Sequence, residues 1–158
     1  WPAFWLYNGS QGNLGNGATD GCEIDIMETP WQDDRVNFAL HWDGYGKEHK
    51  STGTAVTVPG IHEGYHTYAL WWSPKEYIWY VDGVERYRTS EGGVCQVPNY
   101  VKLSDEAQFE GWAGDIRKAK LPDETLVDYV RVYDLVDAKT GKPVYPVPKG
   151  SIGGKFEP

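Results

Sequence analysis

A chain of 158 residues, 40% of them hydrophobic, fits one domain and can bury a core of its own. Its formal net charge of -8 argues against nucleic acid or an anionic membrane as partner and, with less force, against a heavily sulfated ligand. No apolar run is long enough to span a bilayer, no Cys/His set has zinc spacing, no acidic loop has the EF-hand pattern, and no Gly-rich stretch carries a following Lys-Ser/Thr.

In chain order, Trp1 to Tyr7 reads as a strand, and the Gly/Asn-rich stretch Asn8 to Gly21 as a long loop at the rim of a site. The first residue is Trp rather than Met, so any signal peptide is expected upstream. Glu23 to Glu28 is a strand stopped by Thr29-Pro30. In Arg35 to Trp42, Val36, Phe38, Leu40 and Trp42 form one face and Asn37, Ala39 and His41 the other. Ser51 to Val58, Tyr65 to Trp72 and Tyr77 to Val81 follow, and Asp82-Gly83 turns the chain into Val84 to Arg88. Tyr100 to Ser104 is another strand, Lys118 to Glu124 a short helical turn, and Leu126 to Tyr133 the closing strand. Residues 136–158, rich in Pro, Gly and Lys, read as an extended tail beyond a domain at 1–135. Short strands separated by turns predict an all-β chain, with two antiparallel sheets packed as a β-sandwich. The eight Trp and eleven Tyr suit strands and also offer flat faces for stacking.

The stretch Glu23-Ile24-Asp25-Ile26-Met27-Glu28 carries the chemistry. Ile24 and Ile26 point one way, Glu23 and Asp25 the other. Alternation alone puts Glu28 among the isoleucines, a costly place for a carboxylate. A β-bulge at Ile26-Met27 returns it to the face of Glu23 and Asp25. A solvated acidic strand face is the plainer alternative. Three carboxyls on one strand otherwise suit hydrolysis with retention, which needs two of them about 5–5.5 Å apart.

The motifs Trp1-Pro2-Ala3-Phe4-Trp5-Leu6-Tyr7, Glu23-Ile24-Asp25-Ile26-Met27-Glu28, Phe38-Ala39-Leu40-His41-Trp42, Gly111-Trp112-Ala113-Gly114 and Val127-Asp128-Tyr129-Val130-Arg131-Val132-Tyr133 stand in this order. The set resembles glycoside hydrolase family 16, in the bulge-containing branch of laminarinases and β-glucanases. The resemblance implies a concanavalin-like β-jelly roll with a concave cleft and endo-hydrolysis of a neutral β-glucan, β-1,3 or mixed β-1,3/1,4. It casts Glu23 as nucleophile and Glu28 as acid/base, roles that spacing does not assign, with Asp25 tuning both. An agar- or carrageenan-type substrate, or a non-catalytic sugar-binding sandwich, is the alternative.

For binding, the resemblance sets Trp5 at a glycone-side sugar, although a core tryptophan is its other reading, and His41 near the acid/base with Asn37 on the same face. Trp112 is a stacking platform, and Glu106 contacts sugar hydroxyls or faces solvent. His49, in a charged turn, reads as solvated, and His62 and His66 as non-functional. No catalytic cofactor is implied. Asp128 is a ligand to a structural calcium or a solvated side chain. Cys22 and Cys95 admit one disulfide or two separate thiols; extracellular or periplasmic work on a polysaccharide favours the disulfide. Family members carry further strands before Trp1, so a fragment, or another chain or symmetry mate completing the sandwich, is the corresponding expectation.

Overall fold

A computed structural model describes residues 1–144. Within Trp1–Leu126, one of its two compact units, the strands are β1 (Pro2–Tyr7), β2 (Glu23–Glu28), β3 (Arg35–Trp42), β4 (Lys50–Thr57), β5 (Tyr68–Trp72), β6 (Tyr77–Val81), β7 (Val84–Thr89) and β8 (Tyr100–Asp105). They form two antiparallel sheets, ordered β4-β3-β2-β1-β8 and β5-β6-β7. The expected all-β sandwich is what the chain adopts.

Period-2 alternation explains the packing. Val36, Phe38, Leu40 and Trp42 of β3 and Ile24 of β2 are buried, and across from them lie Tyr77, Trp79 and Val81 of β6. Burying each large apolar side chain contributes about 1.5–3 kcal/mol. The other face of the larger sheet is left for the site. Gly53 of β4 is needed there because a Cβ would stand 2.3 Å from the Phe38 carbonyl oxygen.

Three elements differ from expectation. Strand β5 begins at Tyr68 rather than Tyr65, because the Asp82 carboxylate accepts from Thr67 N at 2.8 Å and pairs with His66 at 2.7 Å, holding those residues off the ladder. The short helical turn is a 3-10 turn at Ile116–Lys118, with the Asp115 side chain accepting from Arg117 N. Leu126 to Tyr133 is not a strand: its alternation fits one, but a strand needs a ladder partner, and among the described residues nothing pairs with it.

The second unit accordingly begins at Val127, earlier than the boundary at residue 135. Its described part holds one bridge, Val136↔Pro143, around a turn in which the Asp137 carboxylate accepts from Lys139 N and Thr140 N. The rest of the expected tail, residues 145–158, lies outside the described residues.

Cys22 and Cys95 are both buried and stand as free thiols here. The two thiols perturb each other, Cys95 raising Cys22, and Tyr77 Oη accepts from Cys95 N at 2.7 Å. The Tyr77 hydroxyl also stands 3.9 Å from Cys22 Sγ.

Candidate active site

The bulge is present. Asp25 pairs with Ala39 and Glu28 with Asn37, so β2 spends three steps where β3 spends two. Against β1, Met27 pairs with Phe4 and Asp25 with Trp5, the same extra residue. Glu23, Asp25 and Glu28 therefore share one face, flanked by His41, Ala39 and Asn37 on one side and by Tyr7, Trp5 and Ala3 on the other. The bulge interrupts the ladder, and the buried Trp79 indole reaches from the opposite sheet to donate to Asp25 O at 2.9 Å.

An open cleft straddles β2. Its β3–β4 half has a volume of about 400 Å³ and is lined by the three carboxyls with Asn37, His41 and Trp112. Its β1 half, about 290 Å³, is lined by the same carboxyls with Trp1, Trp5, Tyr45 and Glu106. Small Ala39 and Gly53 leave the trough open beside His41.

Each carboxyl is held differently. Glu28 Oε2 accepts from Asn37 Nδ2 at 2.9 Å and Oε1 from Trp1 Nε1 at 3.2 Å. Burial, then the charge of Asp25, raises Glu28 to about 7 against these bonds. Burial lifts Asp25 to about 6, opposed by its bond to His41, whose Nε2 is 3.3 Å from Asp25 Oδ2. Burial also raises Glu23, but the Tyr45 hydroxyl donates to its Oε2 and the charges of His41 and Lys102 oppose the rise. Burial alone would lower His41; Asp25, with the charges of Glu23 and Glu28, outweighs it and raises it. His49 is lowered by burial and by His41, and its Nε2 lies 3.0 Å from His41 Nδ1 in a ring-to-ring hydrogen bond.

The wall residues expected from sequence are partly gathered. Trp112 lines the cleft and meets Trp1 and Trp31 edge-on, both with ring centroids at 5.4 Å. Trp5 faces the cleft rather than the core, with Nε1 donating to Ser104 Oγ at 3.0 Å. The Lys102 ammonium lies 3.7 Å from the Trp5 ring centroid, so a sugar stacking on that face must displace it. Glu106 is exposed at the rim, its backbone N–H donating to Trp1 O at 2.9 Å.

Sequence reasoning missed Tyr45 and the part His49 plays. His49 is exposed, as expected of a solvated residue, yet its ring stacks on His41 at 5.1 Å. A turn carries both residues over the carboxylates, and no strand alternation signals that. His62 and His66 bond to Asp33 O and to Asp82, and neither lines the cleft.

Glu23, Asp25 and His41 offer donor atoms within 4.8 Å of one another. Glu23 Oε2 accepts from the Tyr45 hydroxyl and Asp25 Oδ2 pairs with His41 Nε2. Asp128 is exposed and joins no ligating cluster among the described residues.

Residues 1–131 match the profile of Glycosyl hydrolases family 16. A keratan-sulfate endo-1,4-beta-galactosidase of Sphingobacterium multivorum is 32% identical over 142 residues, 85% of this chain and 33% of that protein. A beta-glucanase of Rhodothermus marinus is 28% identical over 159 residues, 87% of this chain and 53% of that protein. A solved Bacteroides ovatus mixed linkage glucan family 16 structure, in complex with a product, is 27% identical over 56% of this chain and 40% of its own, with a TM-score of 0.48. The chain thus spans from 33% to 53% of the length of these two curated relatives. With the profile covering most of its length, the chain belongs to glycosyl hydrolases family 16.

Proposed function

We propose that this chain carries the catalytic face of a retaining endo-glycoside hydrolase that cleaves a neutral β-glucan, with β-1,3 or mixed β-1,3/1,4 linkages. The reading rests on one observation above all: the bulge that brings Glu23, Asp25 and Glu28 to one face of an open cleft. Relatives named as β-glucanases and endo-1,3-1,4-β-glycanases support the substrate class. A polymeric substrate suits work outside the cell or in the periplasm.

Glu28, raised to about 7, holds a proton near neutrality and donates it to the departing glycosidic oxygen. Glu23, with a hydroxyl donor and two nearby cations favouring its charged form, attacks the anomeric carbon, and the C–O bond to the leaving sugar breaks. The product is a glycosyl ester on Glu23. Glu28, now a carboxylate, takes a proton from water whose oxygen displaces Glu23 from the opposite side. Asp25 couples the two: its charge raises Glu28, and Glu23's charge in turn raises Asp25. Their protonation states are thereby kept apart.

One observation favours a second reading within the family. Lys102 places an ammonium at the Trp5 wall and has no carboxylate partner among the described residues. An anionic polysaccharide of carrageenan or keratan-sulfate type would use that charge. The test is reducing-end release from laminarin, barley β-glucan, agarose, κ-carrageenan and keratan sulfate, with Glu23→Gln as control. Release from a glucan, lost in the variant, supports the first reading. Release confined to the anionic polymers supports the second. A folded chain with no release from any of them contradicts both.

A further inference from the structure

We infer that Tyr45 is a positioning residue for Glu23, carried into the cleft by a loop built for that purpose. The inference rests on the reading of Glu23 as nucleophile. The loop leaves β3 through Asp43 and Gly44, both in the left-handed region at φ 60° and 72°, which turns the chain back over the strand that precedes it. A non-glycine residue at such a φ needs support, and Asp43 has it. It is 2% exposed, accepting from Lys50 Nζ at 2.6 Å and from Gly15 N at 3.1 Å.

The next residue is clamped to the Gly/Asn-rich loop. Gly44 N donates to Gln11 O at 2.9 Å, and the buried Gln11 amide returns a bond to Gly44 O at 3.2 Å. The Tyr45 ring then lies against His49 at 5.5 Å and His41 at 6.5 Å. Its hydroxyl ends on Glu23 Oε2.

Most of the Tyr45 side chain is exposed, at 59%, so burial of apolar surface does not explain its placement. The hydroxyl bond does. Burial and the charge of Glu23 push the phenol well above its ordinary range, so it remains a neutral donor at any working pH. A donor to a carboxylate favours the charged form. Tyr45 therefore keeps Glu23 ionised for attack and stabilises it again when it leaves the glycosyl ester. The other groups facing Glu23 are His41 on β3, Asp25 and Glu28 on β2, Lys102 on β8, and Tyr7, its partner on β1. Tyr45 is the one whose placement depends on a turn outside the sheet.

The test is Tyr45→Phe, with fold checked by circular dichroism. Glutamate carboxyls are followed by carbon-13 NMR across pH, with Glu23 assigned by Glu23→Gln. The Glu23 midpoint is expected to rise by about one pH unit. The acid limb of kcat/KM is expected to move up with it, losing roughly tenfold per unit below that limb. An unmoved Glu23 midpoint overturns the inference whether or not the chain hydrolyses glucan. A uniform loss of activity at all pH, without movement of the limb, also overturns it. A midpoint that moves in a chain showing no hydrolysis upholds the contact and refutes the hydrolase reading instead.

Discussion

Trp79 ties the smaller sheet to the bulge, and replacing it with Phe separates that tie from simple packing. Trp79 is fully buried, packs on Tyr77 at 5.7 Å, Tyr87 at 5.2 Å and Phe38 at 6.4 Å, and donates to Asp25 O at 2.9 Å. Phe keeps the ring contacts but removes the N–H. The Asp25 carbonyl then stays buried without its donor, which costs about 1–3 kcal/mol. The smaller ring leaves a void worth about 1 kcal/mol. Trp79→Phe is therefore expected to lose about 2–4 kcal/mol in urea unfolding. Reducing-end release, measured where the variant is fully folded, should fall as well, because the strand carrying Asp25 loses its anchor. A loss below about 1 kcal/mol with full activity would refute the claim that this hydrogen bond holds the bulge.

Glu28→Gln is expected to stabilise the chain at alkaline pH. Folding raises Glu28 from 4.5 to about 7, first by burial and then by Asp25. The stability tied to its proton is complete below the unfolded value and lost as pH rises through the folded one. At most about 3 kcal/mol is at stake, so the Gln variant should melt higher than wild type near pH 8 and lose that advantage near pH 4; equal melting at both would contradict the assignment. A small-molecule disulfide is expected to join Cys22 to Cys95 and raise stability by up to about 4 kcal/mol for a loop of that length. Two thiols still titrating in denaturant after that treatment would count against it. Calcium and chelator are expected to leave the melting temperature unchanged, since Asp128 is exposed and joins no ligating cluster among the described residues; a rise of several degrees with calcium would contradict this.

The carboxylate face was legible because two signals coincide: alternation of Ile24 and Ile26 with Glu23 and Asp25, and a Glu28 that alternation misplaces unless the strand bulges. Asn37 and His41 followed from the same rule, since both stand opposite the apolar face of β3 and pair with Glu28 and Glu23. Tyr45 and His49 were not legible in this way. A two-residue excursion at Asp43 and Gly44 places them, and side-chain clamps on a distant loop hold that excursion. Lys102 over Trp5 depends on the register of β8 on β1, which joins segments far apart in sequence. Leu126 to Tyr133 shows the opposite failure, because its alternation records a preference for strand but not the partner that a strand requires.

The proposed roles are attack by Glu23 and proton transfer by Glu28. Azide added to Glu23→Ala and Glu28→Ala, with an activated β-glucoside of the best oligosaccharide substrate, tests them most directly. With Glu23 shortened, azide fills the nucleophile's place and attacks once, giving the α-glycosyl azide. With Glu28 shortened, azide replaces water at the ester and gives the β-glycosyl azide. Proton NMR is expected to show this pairing of variant and anomer. The reverse pairing would exchange the two roles, and rescue of neither variant, with both folded, would contradict double displacement on this strand.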